Sequence, residues 1–86
     1  MKQQYATHLP WEEYDRKLRD VDWKQYRNCQ AWTFYDGDNL WIKSYNTIVA
    51  VISRIGGLSI RDYYPRTTSA QINKIYRSYT DGSLDR

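Results

Sequence analysis

The chain has 86 residues, enough to close one hydrophobic core and too few for two. Hydrophobic residues make up 41% and charged residues 27%, a balance that excludes a disordered polyelectrolyte and fits a globular domain. The net charge of +3 and pI of about 9.1 are too mild to imply a polyanionic partner unless the cations cluster.

Aromatic residues reach 16%, with nine Tyr, four Trp and one Phe, so nearly every ring carries a polar atom suited to half-buried positions. Cys29 is the only cysteine, which excludes an intramolecular disulfide, and a small domain without cross-links points to a reducing compartment. The N-terminal residues lack the apolar stretch of a secretory signal, and no apolar run reaches membrane-spanning length. A cytoplasmic location without membrane contact is the expectation.

Residues 1–9 show no apolar periodicity and are expected to form a flexible lead-in. Pro10 suits the start of a helix, and Glu12, Glu13 and Asp15 complement the dipole of its first turns. Trp11, Tyr14, Leu18 and Val21 would form its apolar stripe. Asp20-Val21-Asp22 is the expected break, with Asp22 capping a second short turn that carries Trp23 and Tyr26.

From Gln30 the pattern turns to alternation and β-forming residues. Ala31–Tyr35 reads as a strand with Trp32 and Phe34 on one face. Asp36-Gly37-Asp38-Asn39 is a tight turn, after which Leu40–Tyr45 returns as a second strand. Thr47–Ile52 is almost continuously apolar, the signature of a central strand covered on both faces. Gly56-Gly57 closes another hairpin. Leu58–Tyr64 then alternates, with Leu58 and Ile60 inward and Ser59, Arg61 and Tyr63 on the opposite face.

Pro65 ends that strand, and Thr68-Ser69-Ala70-Gln71 reads as a capping box. Ile72, Ile75, Tyr76 and Tyr79 give the apolar face of a helix over Thr68–Tyr79, stopped by Asp81-Gly82, with residues 81–86 frayed. The predicted architecture is one α+β domain over residues 10–80. It is an antiparallel β-meander of three to four strands with an N-terminal helix and a C-terminal helix.

Catalytic and metal chemistry find little support in these residues. One His, one Cys and acidic residues spaced for helix surfaces or turns make no convergent ligand set. Asp36-Gly37-Asp38-Asn39 lacks the remaining ligands of a calcium loop. The paired glycines lie between strands rather than at a helix start, so they cradle no phosphate. Cys29 and His8 have no third orienting group for nucleophilic catalysis. No catalytic residue, metal or cofactor is expected, and the chain reads as a non-enzyme.

Tyr, Trp and Arg are the residues that dominate binding interfaces, and a short chain cannot bury all of these. The candidate partner-binding residues are Trp41, Tyr45, Arg61, Tyr63, Tyr64 and Arg66. The same rings would otherwise serve as cross-strand pairs beneath the N-terminal helix. Between Arg54 and Arg77 five basic side chains face Asp62 alone, a net +4. Arg61, Arg66, Lys74 and Arg77 are therefore the candidates for an alternative role in binding nucleic acid. A meander leaves edge strands that pair readily across a two-fold axis, so monomer and homodimer are both open.

Three segments, LWIKSYNTIVAVI from Leu40, GGLSIRDYY from Gly56 and RTTSAQINKIY from Arg66, carry a resemblance. Their Ser-Tyr-x-Thr-x-Val-Ala strand at Ser44–Ala50 and Thr-Thr-Ser helix start at Thr67–Ser69 resemble a group of small proteins of bacteriophages and mobile elements. The resemblance covers about half the chain and leaves out the N-terminal helix. It implies a phage origin and a bacterial host cytoplasm. Phage chains of this size commonly act by binding a host protein or ribonucleoprotein, as anti-CRISPR proteins do. The basic charge disfavours mimicry of DNA.

Overall fold

Segments of period two become strands, and the two amphipathic segments become helices. In the computed structural model, which describes residues 3–84, the order is β1 (Gln3–Tyr5), α1 (Trp11–Lys17), β2 (Lys24–Gln25), β3 (Ala31–Tyr35), β4 (Leu40–Ser44), β5 (Thr47–Ile52), β6 (Leu58–Ile60) and α2 (Arg66–Thr80). The strands form one sheet in the order β1-β6-β5-β4-β3-β2. From β2 to β6 each neighbouring pair is antiparallel, giving five strands in meander order, while β1 runs parallel to β6. One helix precedes the meander and another follows it, so the fold is α+β.

Two strands beyond the expected count come from segments without alternation. β1 lies inside the expected lead-in, and beyond it the Ala6 N–H donates to the Ile60 carbonyl at 2.7 Å. Ala6 is buried, and its carbonyl accepts the Trp11 indole N–H at 2.7 Å. This part of the lead-in is thus fastened to both sheet and helix. Lys24 and Gln25, expected within a second helical turn, instead pair with Thr33 and Trp32. Pairing of so few residues is a backbone event that leaves no periodicity to read.

The helices also differ at their ends. α1 stops at Lys17, a turn before Val21, and the Trp23 indole N–H closes the following loop on the Leu18 carbonyl at 2.8 Å. α2 begins at Arg66 with Pro65 as N-cap and no side-chain capping bond, so the capping box expected at Thr68–Gln71 does not form. Proline there pre-sets the backbone but offers no side-chain acceptor, and Thr68 already lies within the helix. β6 ends at Ile60 rather than Tyr64, and β4 ends at Ser44 because Tyr45 turns at φ +56°.

β5 is covered on both faces, as its apolar run predicts. On one side Leu40, Ile42, Val49, Ala50, Ile52 and Leu58 pack against Ile72, Ile75 and Tyr76 of α2. On the other, Ile48 and Trp41 join Ala6 and Trp11, with Tyr14, Leu18, Phe34 and Val51 packed around them. A bulge makes this division workable. Ile42 pairs with Ala50 but Lys43 pairs with Ile48, so Val49 is the extra residue. Val49 and Ala50 therefore both serve the α2 side while Ile48 serves the α1 side. Each fully buried Leu or Ile contributes roughly 1.5–3 kcal/mol.

Candidate binding surface

Backbone hydrogen bonds bring several predicted residues to one end of the sheet. The Tyr45 N–H reaches the Gln30 carbonyl at 3.1 Å, the Arg61 N–H reaches Val49 at 2.9 Å, and Ala6 follows Tyr5 onto Ile60. This end therefore carries Tyr5, the β4–β5 turn at Tyr45, and the segment from Arg61 that leads through Tyr63 and Tyr64 to Arg66. Tyr45 is 63% exposed and Tyr63 74%. Tyr5 packs on Tyr63 with ring centroids 4.2 Å apart and planes inclined by 30°. Arg66 is exposed beside them in sequence.

Other predicted contact residues are directed inward. Trp41 is buried under α1, with the Tyr14 ring at 4.8 Å edge-on and its indole N–H donated to Asp36 Oδ2 at 3.0 Å. It pairs with Phe34 across β3 and β4, so its ring belongs to the core rather than to a contact surface. Arg61 Nη1 lies 3.0 and 3.2 Å from the two Asp15 carboxylate oxygens and 3.1 Å from the Ile48 carbonyl. Nη1 of that guanidinium is thus held within the fold. Tyr64 is half-buried against the α2-side core; burial pushes its phenol pKa up, against the opposing pull of Arg61 and with Asp62 and Asp15 adding to the rise.

Of the four cations proposed for nucleic acid, Arg66, Lys74 and Arg77 are exposed on α2, a helix that contains no acidic residue. Their spacing places them within a sector of about 80° on a 3.6-residue helix. Arg61 is not among them.

Lys43 is not among the candidate residues that the sequence offers. Its ammonium sits 4.6 Å from the Trp23 ring centroid and 5.6 Å from that of Trp32, and burial lowers its pKa. It opens on a groove of about 380 Å³ bounded by Asp15 and Arg19 of the helical side and by the apolar Leu18, Trp23 and Ile48. The register of the β3–β4 hairpin, which sets Lys43 opposite Trp32, was the available signal.

Among the described residues no group of three or more His, Cys, Asp or Glu could hold a metal ion, and no helix is long and apolar enough to cross a membrane. Cys29 packs against the α2-side core, while His8 is exposed between β1 and α1. Compared with protein-family models, curated proteins and solved structures, the chain matches none. The surface is therefore read from its own residues, among them the exposed Tyr45, Tyr63 and Arg66.

Proposed function

We propose that this chain is a phage-encoded binding protein that inhibits a host protein or ribonucleoprotein in the bacterial cytoplasm, using the tyrosine-rich end of its sheet. The observation that carries the reading is Tyr63, 74% exposed yet braced by Tyr5 at 4.2 Å. Large rings held in place before contact lose little entropy on binding, and tyrosine is a recurrent interface anchor. Tyr45 stands at the same end, in the turn between β4 and β5. Arg66 adds a positive rim. The resemblance of residues 40–79 to small phage proteins supplies the setting, and a CRISPR effector is one target class that suits it.

Capture from a bacterial lysate tests the reading, comparing the tagged chain with a Tyr45→Asp/Tyr63→Asp variant of unchanged circular dichroism. The expected result is a partner retained by the original chain and lost by the variant, together with altered phage plating on cells that carry the partner. Equal capture by both chains, or no capture and no plating effect, rejects it.

A second reading, binding of nucleic acid, is favoured by the acid-free row of Arg66, Lys74 and Arg77, which spans about 16 Å along α2 by helical rise. Such binding falls steeply with salt. Unchanged mobility of labelled single- and double-stranded oligonucleotides at low salt rejects it.

A further inference from the structure

Lys43 presents an electrostatic problem. The residue is half-buried, and among the described residues its ammonium makes neither an ion pair nor a hydrogen bond. Trp23 and Trp32 offer π-faces, worth roughly 0.5–2 kcal/mol, but a ring face does not replace an acceptor for the three N–H donors. Asp15 lines the same groove, yet its oxygens are already held by Arg61 and by the Ile48 N–H. A partly desolvated cation without a counter-ion, at the wall of an open groove, leaves a place for an anion.

The lining narrows the class of anion. Arg19 and Lys43 leave the groove positively charged, because Asp15 is already paired with Arg61. A carboxylate brings one negative charge to Lys43, whereas a phosphate dianion would bring two toward the Asp15 carboxylate that lines the same groove. Leu18, Trp23 and Ile48 provide an apolar wall beside the charge, and the Asn46 amide adds a neutral polar contact at the β4–β5 turn. Lysine is a point charge with rotatable donors, suited to a single carboxylate and not to a planar fork.

We propose that the groove beside Lys43 is a subsite for an acidic side chain of a protein partner, its carboxylate on the ammonium and a neighbouring aliphatic residue against Trp23 and Ile48. This rests on the reading of the chain as a protein binder and names the chemistry of the partner. Asn46 adjoins Tyr45, so the subsite continues the exposed end of the sheet around onto the α1 face.

The probe is the dipeptide Ac-Leu-Glu-NH2, titrated into the isotopically labelled full chain while the Lys43 side-chain and Trp23 indole N–H resonances are followed. The expected result is saturable shifts at both residues with a Kd on the order of 1–10 mM, as befits a fragment of an interface. Ac-Leu-Gln-NH2 is expected to bind about tenfold more weakly, as is the Glu peptide to Lys43→Gln, whereas Lys43→Arg keeps most of the affinity. The neutral peptide tests the charge without any substitution, so a misfolded variant does not blunt the test. Equal shifts with both peptides, or none that saturate by roughly 50 mM, overturn the proposal. Tighter binding of the phosphoserine peptide Ac-Leu-pSer-NH2 than of the Glu peptide overturns it in favour of a phosphate site. If the dipeptide fails to bind while Tyr45→Asp/Tyr63→Asp still abolishes capture, this subsite falls and the binding reading stands; if the dipeptide binds but no partner is captured, the reverse holds.

Discussion

Arg61 Nη1 lies 3.0 Å from Asp15 Oδ2, and the two side chains together satisfy both backbone polar groups of Ile48. Asp15 Oδ1 accepts the Ile48 N–H at 3.4 Å, and Arg61 donates to the Ile48 carbonyl at 3.1 Å. Ile48 stands next to Val49, the extra residue where the pairing of β5 with β4 shifts register. The ion pair is therefore a clasp: one half on α1, the other just past β6, closed over the irregularity between them.

Breaking the clasp is expected to cost more than a surface ion pair does. Arg61→Ala removes charge-assisted hydrogen bonds and strips a backbone carbonyl of its donor, a loss of roughly 1–3 kcal/mol. Urea unfolding followed by Trp fluorescence measures it, and a cycle with Asp15→Ala should return a coupling of about 0.5–2 kcal/mol between the two sites. A coupling near zero would mean that solvent replaces the pair freely. Because Arg61 is internal, its loss should leave any affinity for nucleic acid unchanged once the variant is folded.

Asp36 governs the β3–β4 turn in a pH-dependent way. Its Oδ1 accepts the N–H groups of Asp38 at 2.8 Å and Asn39 at 2.7 Å, and Oδ2 accepts the Trp41 indole at 3.0 Å. Partial burial alone would raise its pKa, but the hydrogen bonds from Asn39, Trp41 and Asp38 together hold the carboxyl below its ordinary value. The unfolded chain thus binds the proton more readily than the folded one. The stability from Asp36 is complete above the unfolded carboxyl pKa near 4 and drains away as pH falls through the lower folded value. Wild-type unfolding should weaken between about pH 5 and pH 3 by more than that of Asp36→Asn, which keeps an acceptor but cannot titrate. Parallel slopes for the two chains over that range would contradict this.

How much of this was legible follows from what each residue advertises. Thr47–Ile52 announces a strand buried on both faces, because an apolar run with no polar alternation has no solvent side to offer. Asp36-Gly37 announces a turn through the positive φ of Gly37, here +102°. β1 and β2 are silent because their stabilisation is main-chain pairing with a neighbour far along the chain or too short to show a period. Trp41 and Arg61 were assigned to the surface because an aromatic or an arginine on the sheet face opposite α2 looks exposed until α1 is known to cover that face. Lys43 stayed outside the candidates for a related reason: its environment is made by Trp23 and Trp32, from segments whose approach only the register reveals.

Tyr26 and Ser78 share a buried hydrogen bond of 2.9 Å that ties the segment after β2 to the last turns of α2. Tyr26→Phe leaves the Ser78 hydroxyl without this partner in a buried site, for an expected loss of about 1–2 kcal/mol. Ser78→Ala added to that variant removes the orphaned group, and its further effect should be small or restoring. Thermal unfolding of the two single variants and the double decides the point. Strictly additive losses would show that the hydroxyls find water instead of each other.

The Tyr5–Tyr63 stack separates stability from recognition. Tyr63 is 74% exposed, so Tyr63→Ala removes little buried area, and stability should move by no more than about 0.5 kcal/mol, the usual range for surface substitutions. Tyr5→Ala should behave similarly in unfolding experiments. In binding, the two should not be equivalent: Tyr63→Ala removes the anchor, whereas Tyr5→Ala leaves the anchor but frees its ring to reorient. Loss of the brace should therefore weaken a captured partner less than loss of the ring, and chiefly through faster dissociation. Dissociation rates of the two variants from the captured partner test this ordering. A larger effect from Tyr5→Ala than from Tyr63→Ala would move the contact to the β1 edge of the sheet, where a partner strand rather than a side-chain pocket would be the mode of attachment.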